Sequence, residues 1–84
     1  MEQEKDVSLS IHLVEDETDT VATAILDLRG DHFEAKGKAR RNPIDPLKPL
    51  IGEELAIARA LRSLESQITE TAEEKIEKFL VQGS

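Results

Sequence analysis

The sequence predicts an α+β fold, a three-stranded antiparallel meander with a long C-terminal helix packed on one face, in the order β-β-β-α. Three observations carry this. Three segments before residue 41 alternate polar and apolar residues, and short polar or glycine-bearing stretches separate them. From residue 53 onward the apolar residues recur instead at spacings of three and four, the period of a helix.

The first strand is Val7 to Val14, with Val7, Leu9, Ile11 and Leu13 on one face. Glu15 to Asp19 is a polar turn, and Thr20 to Leu28 is the second strand, with Ala22, Ala24, Leu26 and Leu28 on its apolar face. Arg29-Gly30-Asp31-His32 supplies the next connection. In the third strand Phe33, Ala35, Gly37 and Ala39 face inward, while Glu34, Lys36, Lys38 and Arg40 face water. Parity then sets Leu13 opposite Ala22, Ile11 opposite Ala24, Leu9 opposite Leu26 and Val7 opposite Leu28. On the other side it sets Leu28 opposite Phe33, Leu26 opposite Ala35, Ala24 opposite Gly37 and Ala22 opposite Ala39. The small residues therefore gather at one end of the inner face, where a helix can approach closely.

Residues 42–49 carry Pro43, Pro46 and Pro49, which fix φ and remove donors, so this stretch reads as an extended bridge. Gly52 is the expected helix cap, with Glu53 and Glu54 in the first turn, where carboxylates suit the dipole. Leu55, Ala58, Leu61, Leu64 and Ile68 form the apolar stripe, continued by Ala72, Ile76, Phe79 and Leu80. The helix of residues 53–70 is expected on the face made by Leu9, Ile11, Ala24, Leu26, Phe33 and Ala35. Continued to residue 81 it would overhang the sheet, since a helix of that length runs about 43 Å and an eight-residue strand about 27 Å. Thr71-Ala72-Glu73-Glu74 fits a capping box, which admits a kink or a second helix after residue 70.

Length and charge bound the function. Eighty-four residues make one domain with a thin core, expected over residues 7–82 behind a disordered acidic N-terminus at 1–6. The absence of cysteine excludes disulfides, thiolate metal sites and thiol catalysis. No apolar run reaches membrane-spanning length, and the acidic first residues are unlike a signal peptide, so a cytoplasmic protein with no membrane role is expected. The net charge of −7 is uneven. Residues 1–35 hold ten acids and two bases, whereas residues 36–49 hold Lys36, Lys38, Arg40, Arg41 and Lys48 against Asp45 alone.

Those five cations are the candidate RNA or anion contacts, because alternate cations on a wet strand face can meet successive phosphates. An ordinary solvated strand face, its cations paired with the protein's own acids or those of a second copy, is the reading that the acidic charge balance favours. Phe33 and Phe79 are the only aromatic residues and both belong to apolar faces, which disfavours recognition by base stacking. His12 and His32 fall on non-adjacent strands, and no metal-ligand spacing exists, so neither a metal nor any other cofactor is expected. The serines lie in no nucleophile motif and there is no glycine-rich phosphate loop, so neither catalysis nor a small-molecule substrate is expected. Arg59, on the helix flank, is a candidate anchor for the carbonyls of the proline bridge. The thin core, the overhanging Ile76, Phe79 and Leu80, and the apolar Val21 and Ile25 on the outer sheet face together point to a homodimer, with an open edge strand as a further contact.

Two segments carry a resemblance: Ala39-Arg40-Arg41-Asn42-Pro43, and Ile51-Gly52-Glu53-Glu54-Leu55 running on through Ala58-Arg59-Ala60-Leu61. Over roughly residues 7–77 the chain resembles a family of small actinobacterial proteins of unknown function with a fold like the double-stranded-RNA-binding domain. Some members belong to dormancy programmes. The resemblance implies a three-stranded sheet backed by a helix, a dimer, and association with the ribosome or structured RNA, but no functional residues. Two functions are therefore expected, the first leading and the second its alternative. One is a non-catalytic binding or regulatory protein, a ribosome- or RNA-associated stress or dormancy factor. The other is a protein–protein interaction module that binds no nucleic acid.

Overall fold

Residues 1–40 and 49–82 are described by a computed structural model. Strands β1 (Leu9–Glu15), β2 (Asp19–Leu28) and β3 (Asp31–Arg40) form one antiparallel sheet in that order, and a single helix α1 (Pro49–Gln82) packs on one face. The proline bridge up to residue 48 lies outside the described residues.

Pairing of β1 with β2 follows parity, with Leu13 opposite Ala22, Ile11 opposite Ala24 and Leu9 opposite Leu26. Val7 precedes the strand, so its expected pairing with Leu28 is not formed. The β2–β3 register differs from expectation by two residues. Leu26 faces Phe33, Ala24 faces Ala35, Ala22 faces Gly37 and Thr20 faces Ala39. The cause is the turn. Arg29 and Gly30 both adopt positive φ, at 47° and 89°, a two-residue type I′ hairpin whose twist matches that of the strands. Asp31 and His32 thereby join β3 instead of the loop. A shift of two preserves the side-chain faces, which is why the core composition survives the error.

The helix stripe also differs. Ala56, Ala60 and Leu64 are buried, with Ile57, Leu61 and Ile68 half-buried beside them, whereas Leu55 and Ala58 are exposed. The small residues explain this choice. A Cβ built on Gly37 would sit 2.1 Å from the Ala56 carbonyl oxygen and 2.3 Å from the Ala60 nitrogen, so the helix backbone rests directly on β3. Only a glycine on the strand and alanines on the helix permit that approach. The bulkier inner face of β1 would hold a helix away, and α1 accordingly lies over β2 and β3.

Pro49 opens the helix, a position where its fixed φ and missing donor cost nothing. Gly52 is therefore inside the helix and not its cap, and Glu53 and Glu54 lie beyond the first turn. No break follows residue 70; one helix of 34 residues runs to Gln82. At about 51 Å it outlasts the sheet, whose ten-residue strands span about 33 Å.

Candidate functional site

The outer sheet face holds the basic strip. Lys36, Lys38 and Arg40 are exposed there, as their alternation requires, while Arg41 and Lys48 lie outside the described residues. The strip is interleaved with acids. Asp19 is the register partner of Arg40 and lies 3.8 Å from the Lys38 ammonium, and Glu34 shares the strand. Lys36 stands opposite Thr23, which is opposite His12. Val21 and Ile25 are half-buried, and Val14, beside Val21, is exposed.

His32 belongs to β3, opposite Asp27, and its Nδ1 donates to Asp27 Oδ1 at 2.5 Å. Glu34 adds a second carboxylate 3.6 Å from Nε2. The hydrogen bond and charge of Asp27, seconded by Glu34, raise the imidazole above its ordinary value of 6.5. In the β1–β2 turn, Asp16 Oδ1 accepts the backbone N–H groups of Asp19 and Thr18, each at 2.8 Å, and the Thr18 hydroxyl at 3.1 Å. These donors stabilise its charged form and lower its pKa. Glu53 on α1 meets Glu15 at the end of β1, and sharing a hydrogen bond with that carboxylate raises its pKa. Sequence reading gave Glu53 a dipole role. Its real neighbour comes from 38 positions away in the chain, and no local pattern signals it.

The two edges of the sheet differ. Along β3, Arg59 donates to the Lys38 carbonyl at 2.6 Å and Gln67 donates to the Glu34 carbonyl at 3.0 Å. Lys75 pairs with Asp31 beside the hairpin. Arg59 thus anchors β3, where the sequence suggested the proline bridge, and together with Gln67 it ties α1 to that edge. Among the described residues, no side chain does the same for β1.

The inner face of β1 is left largely uncovered. Leu9 is 45% and Ile11 39% exposed, and Val7 just before them is 53% exposed. Past Lys75 the helix leaves the sheet, and Ile76, Phe79 and Leu80 are 60%, 76% and 67% exposed. The sequence marked both groups as apolar. It missed that α1 sits off-centre, which turns Leu9 and Ile11 from core into surface.

Among the described residues no cluster of three or more His, Cys, Asp or Glu is placed to hold a metal ion, and His12 and His32 stand on separate strands. No described helix is long and apolar enough to cross a membrane.

Fold and surface together define a class of small α+β proteins in which one helix covers two strands of a three-stranded meander and overhangs its end. The chain belongs to the Rv2632c-like family, whose sequence profile matches residues 5–84. It is similar to the mycobacterial protein Rv2632c, whose crystal structure agrees with a TM-score of 0.86 at 34% identity, over 92% of each chain. The family is one of unknown function. No curated protein matches the chain.

Proposed function

We propose that the protein is a non-catalytic protein-interaction module whose docking surface is the inner face of β1. One observation carries this reading: Leu9 and Ile11 belong to the strand's apolar alternation yet remain open to solvent. An apolar patch beside a sheet edge that no described strand pairs with suits a protein partner, which buries side chains and adds backbone hydrogen bonds together.

The alternative use of the surface, contact with ribosomal or other structured RNA through Lys36, Lys38 and Arg40, has less behind it. Those cations alternate on one exposed strand, but Asp19 already engages Lys38 and the whole chain carries −7. Nucleic-acid binders usually concentrate basic charge over a domain.

Co-sedimentation with ribosomes and titration of duplex RNA across a salt series separate the two. The interaction-module reading expects no binding even at 50 mM salt. Binding with a log–log salt slope of about −2 to −3, as three engaged phosphates give, lost in Lys36→Glu/Lys38→Glu, would overturn it.

A further inference from the structure

We infer that the partner is an extended, basic segment of another protein, which lies along β1 as a fourth antiparallel strand; the inference rests on the docking reading above and names the partner's chemistry. The backbone decides which groups that strand meets. In the β1–β2 turn the Asp16 N–H donates to the Asp19 carbonyl at 3.0 Å. Residues of an antiparallel pair alternate between bonding across it and pointing away, so in the observed register Val14, His12 and Ser10 bond to β2. Leu9, Ile11, Leu13 and Glu15 therefore turn both N–H and C=O to the edge that no described strand pairs with. The same residues form the inner row of β1, with Leu9 and Ile11 exposed and Leu13 half-buried. An added strand takes backbone hydrogen bonds and apolar contact from one set of positions.

The opposite edge is guarded and this one is not. Counted from the two-residue hairpin, Glu34 and Lys38 point their carbonyls away from β2, and those carbonyls accept from Gln67 and Arg59. Lys36, Lys38 and Arg40 line the same strand. Edge lysines, prolines and bulges are the usual devices against an added strand. The seven residues of β1 include no Lys, Arg or Pro, and their register with β2 runs unbroken.

Charge selects the partner. Residues 1–17 carry six acids and Lys5 as their only base. Glu2, Glu4 and Asp6 precede β1, whereas Glu15, Asp16 and Glu17 end it or follow it, and Glu53 of α1 meets Glu15. The strand is thus an apolar row between two acidic ends. A second β1 paired across a two-fold axis would set acidic end against acidic end, so another copy of this strand is the wrong occupant. Alternating apolar residues flanked by Lys or Arg match it in both shape and charge.

Fluorescence anisotropy with the intact chain tests this, using the labelled peptide Lys-Lys-Val-Thr-Val-Thr-Val-Lys-Lys. Three relatives accompany it: one with glutamate for every lysine, one methylated on the valine nitrogens and one methylated on the threonine nitrogens. In an antiparallel strand whose valines stand opposite Leu9, Ile11 and Leu13, the valine N–H groups face β1 and the threonine N–H groups face away. The lysine peptide should bind, and added salt should weaken it. The glutamate and valine-methylated peptides should bind about tenfold or more weakly, while the threonine-methylated one matches the parent. The peptide should also slow amide exchange at Ile11, Leu13 and Glu15 by about tenfold, and leave Ser10, His12 and Val14, already bonded to β2, little changed. No binding at about 1 mM peptide, equal binding of the valine-methylated peptide, or slowing confined to other amides overturns the inference. A cellular adduct from position 11 at twice the chain's mass overturns it as well. The docking reading survives each of these results and falls only if position 11 captures no protein in cells.

Discussion

Gly37 is the residue on which the packing turns. With a Cβ about 2 Å from two helix backbone atoms, Gly37→Ala should cost about 3 kcal/mol or more, since neither the strand nor the helix axis can yield cheaply. Gly30→Ala offers a comparison, because it meets open space and only the strain of φ 89°; about 1–2 kcal/mol is expected there. Urea titration of both checks the ranking, and an unchanged midpoint in Gly37→Ala would contradict the close approach. His32 tests the electrostatics. Its pKa is raised in the folded state by Asp27, so its stabilisation is complete below about pH 6.5 and disappears as pH rises through the folded value. His32→Gln should therefore lower Tm at pH 5.5 and leave it unchanged at pH 9. At this scale the sequence was informative where identity alone matters. The cluster Ala22, Ala24, Ala35, Gly37 and Ala39 announced a close helix. The Asp27–His32 pair was hidden by reading His32 as part of the turn, because a two-residue and a four-residue connection preserve the same parity.

Among elements, the helix stripe separates what periodicity can decide from what it cannot. Spacing of three and four located the helix but not which of two neighbouring stripes faces the sheet. Leu55 and Ala58 lost to Ala56 and Ala60 because only alanine at both positions lets the backbone seat on Gly37. Leu64 belongs to either stripe and is buried, so Leu64→Ala should cost about 2–5 kcal/mol, whereas half-buried Leu61 should lose roughly half as much. Equal effects in denaturant titration would contradict the observed rotation of α1. The approach of α1 to the end of β1 also sets two carboxylates together. The folded pKa of Glu53 is raised by the neighbouring Glu15 carboxylate, so its contribution is favourable below about pH 4.5 and is lost as pH rises through the folded value. Glu53→Gln should accordingly raise Tm at pH 7, with the gain vanishing near pH 4. A lower Tm at pH 7 would mean that Glu15 and Glu53 do not face each other.

For the molecule as a whole, strand order, side-chain parity and the overhanging helix were all legible, because each is written in local periodicity. The candidate site was legible only in its parts. Leu9, Ile11, Ile76, Phe79 and Leu80 were recognisably apolar, but β1 becomes open surface only once α1 settles over β2 and β3, a choice made by small residues on other elements. The basic strip stood out in the charge pattern, yet its counter-charge Asp19 lies on the neighbouring strand and becomes a partner through the register. The central claim is that the inner face of β1 is where this protein meets its partner. A photo-reactive phenylalanine analogue placed at position 11, with one at position 36 for comparison, tests that claim most directly in living cells. The expected result is a protein adduct from position 11, at twice the chain's mass if the partner is a second copy, and none from position 36. A nucleic-acid adduct from position 36 with no protein captured at position 11 would contradict the account.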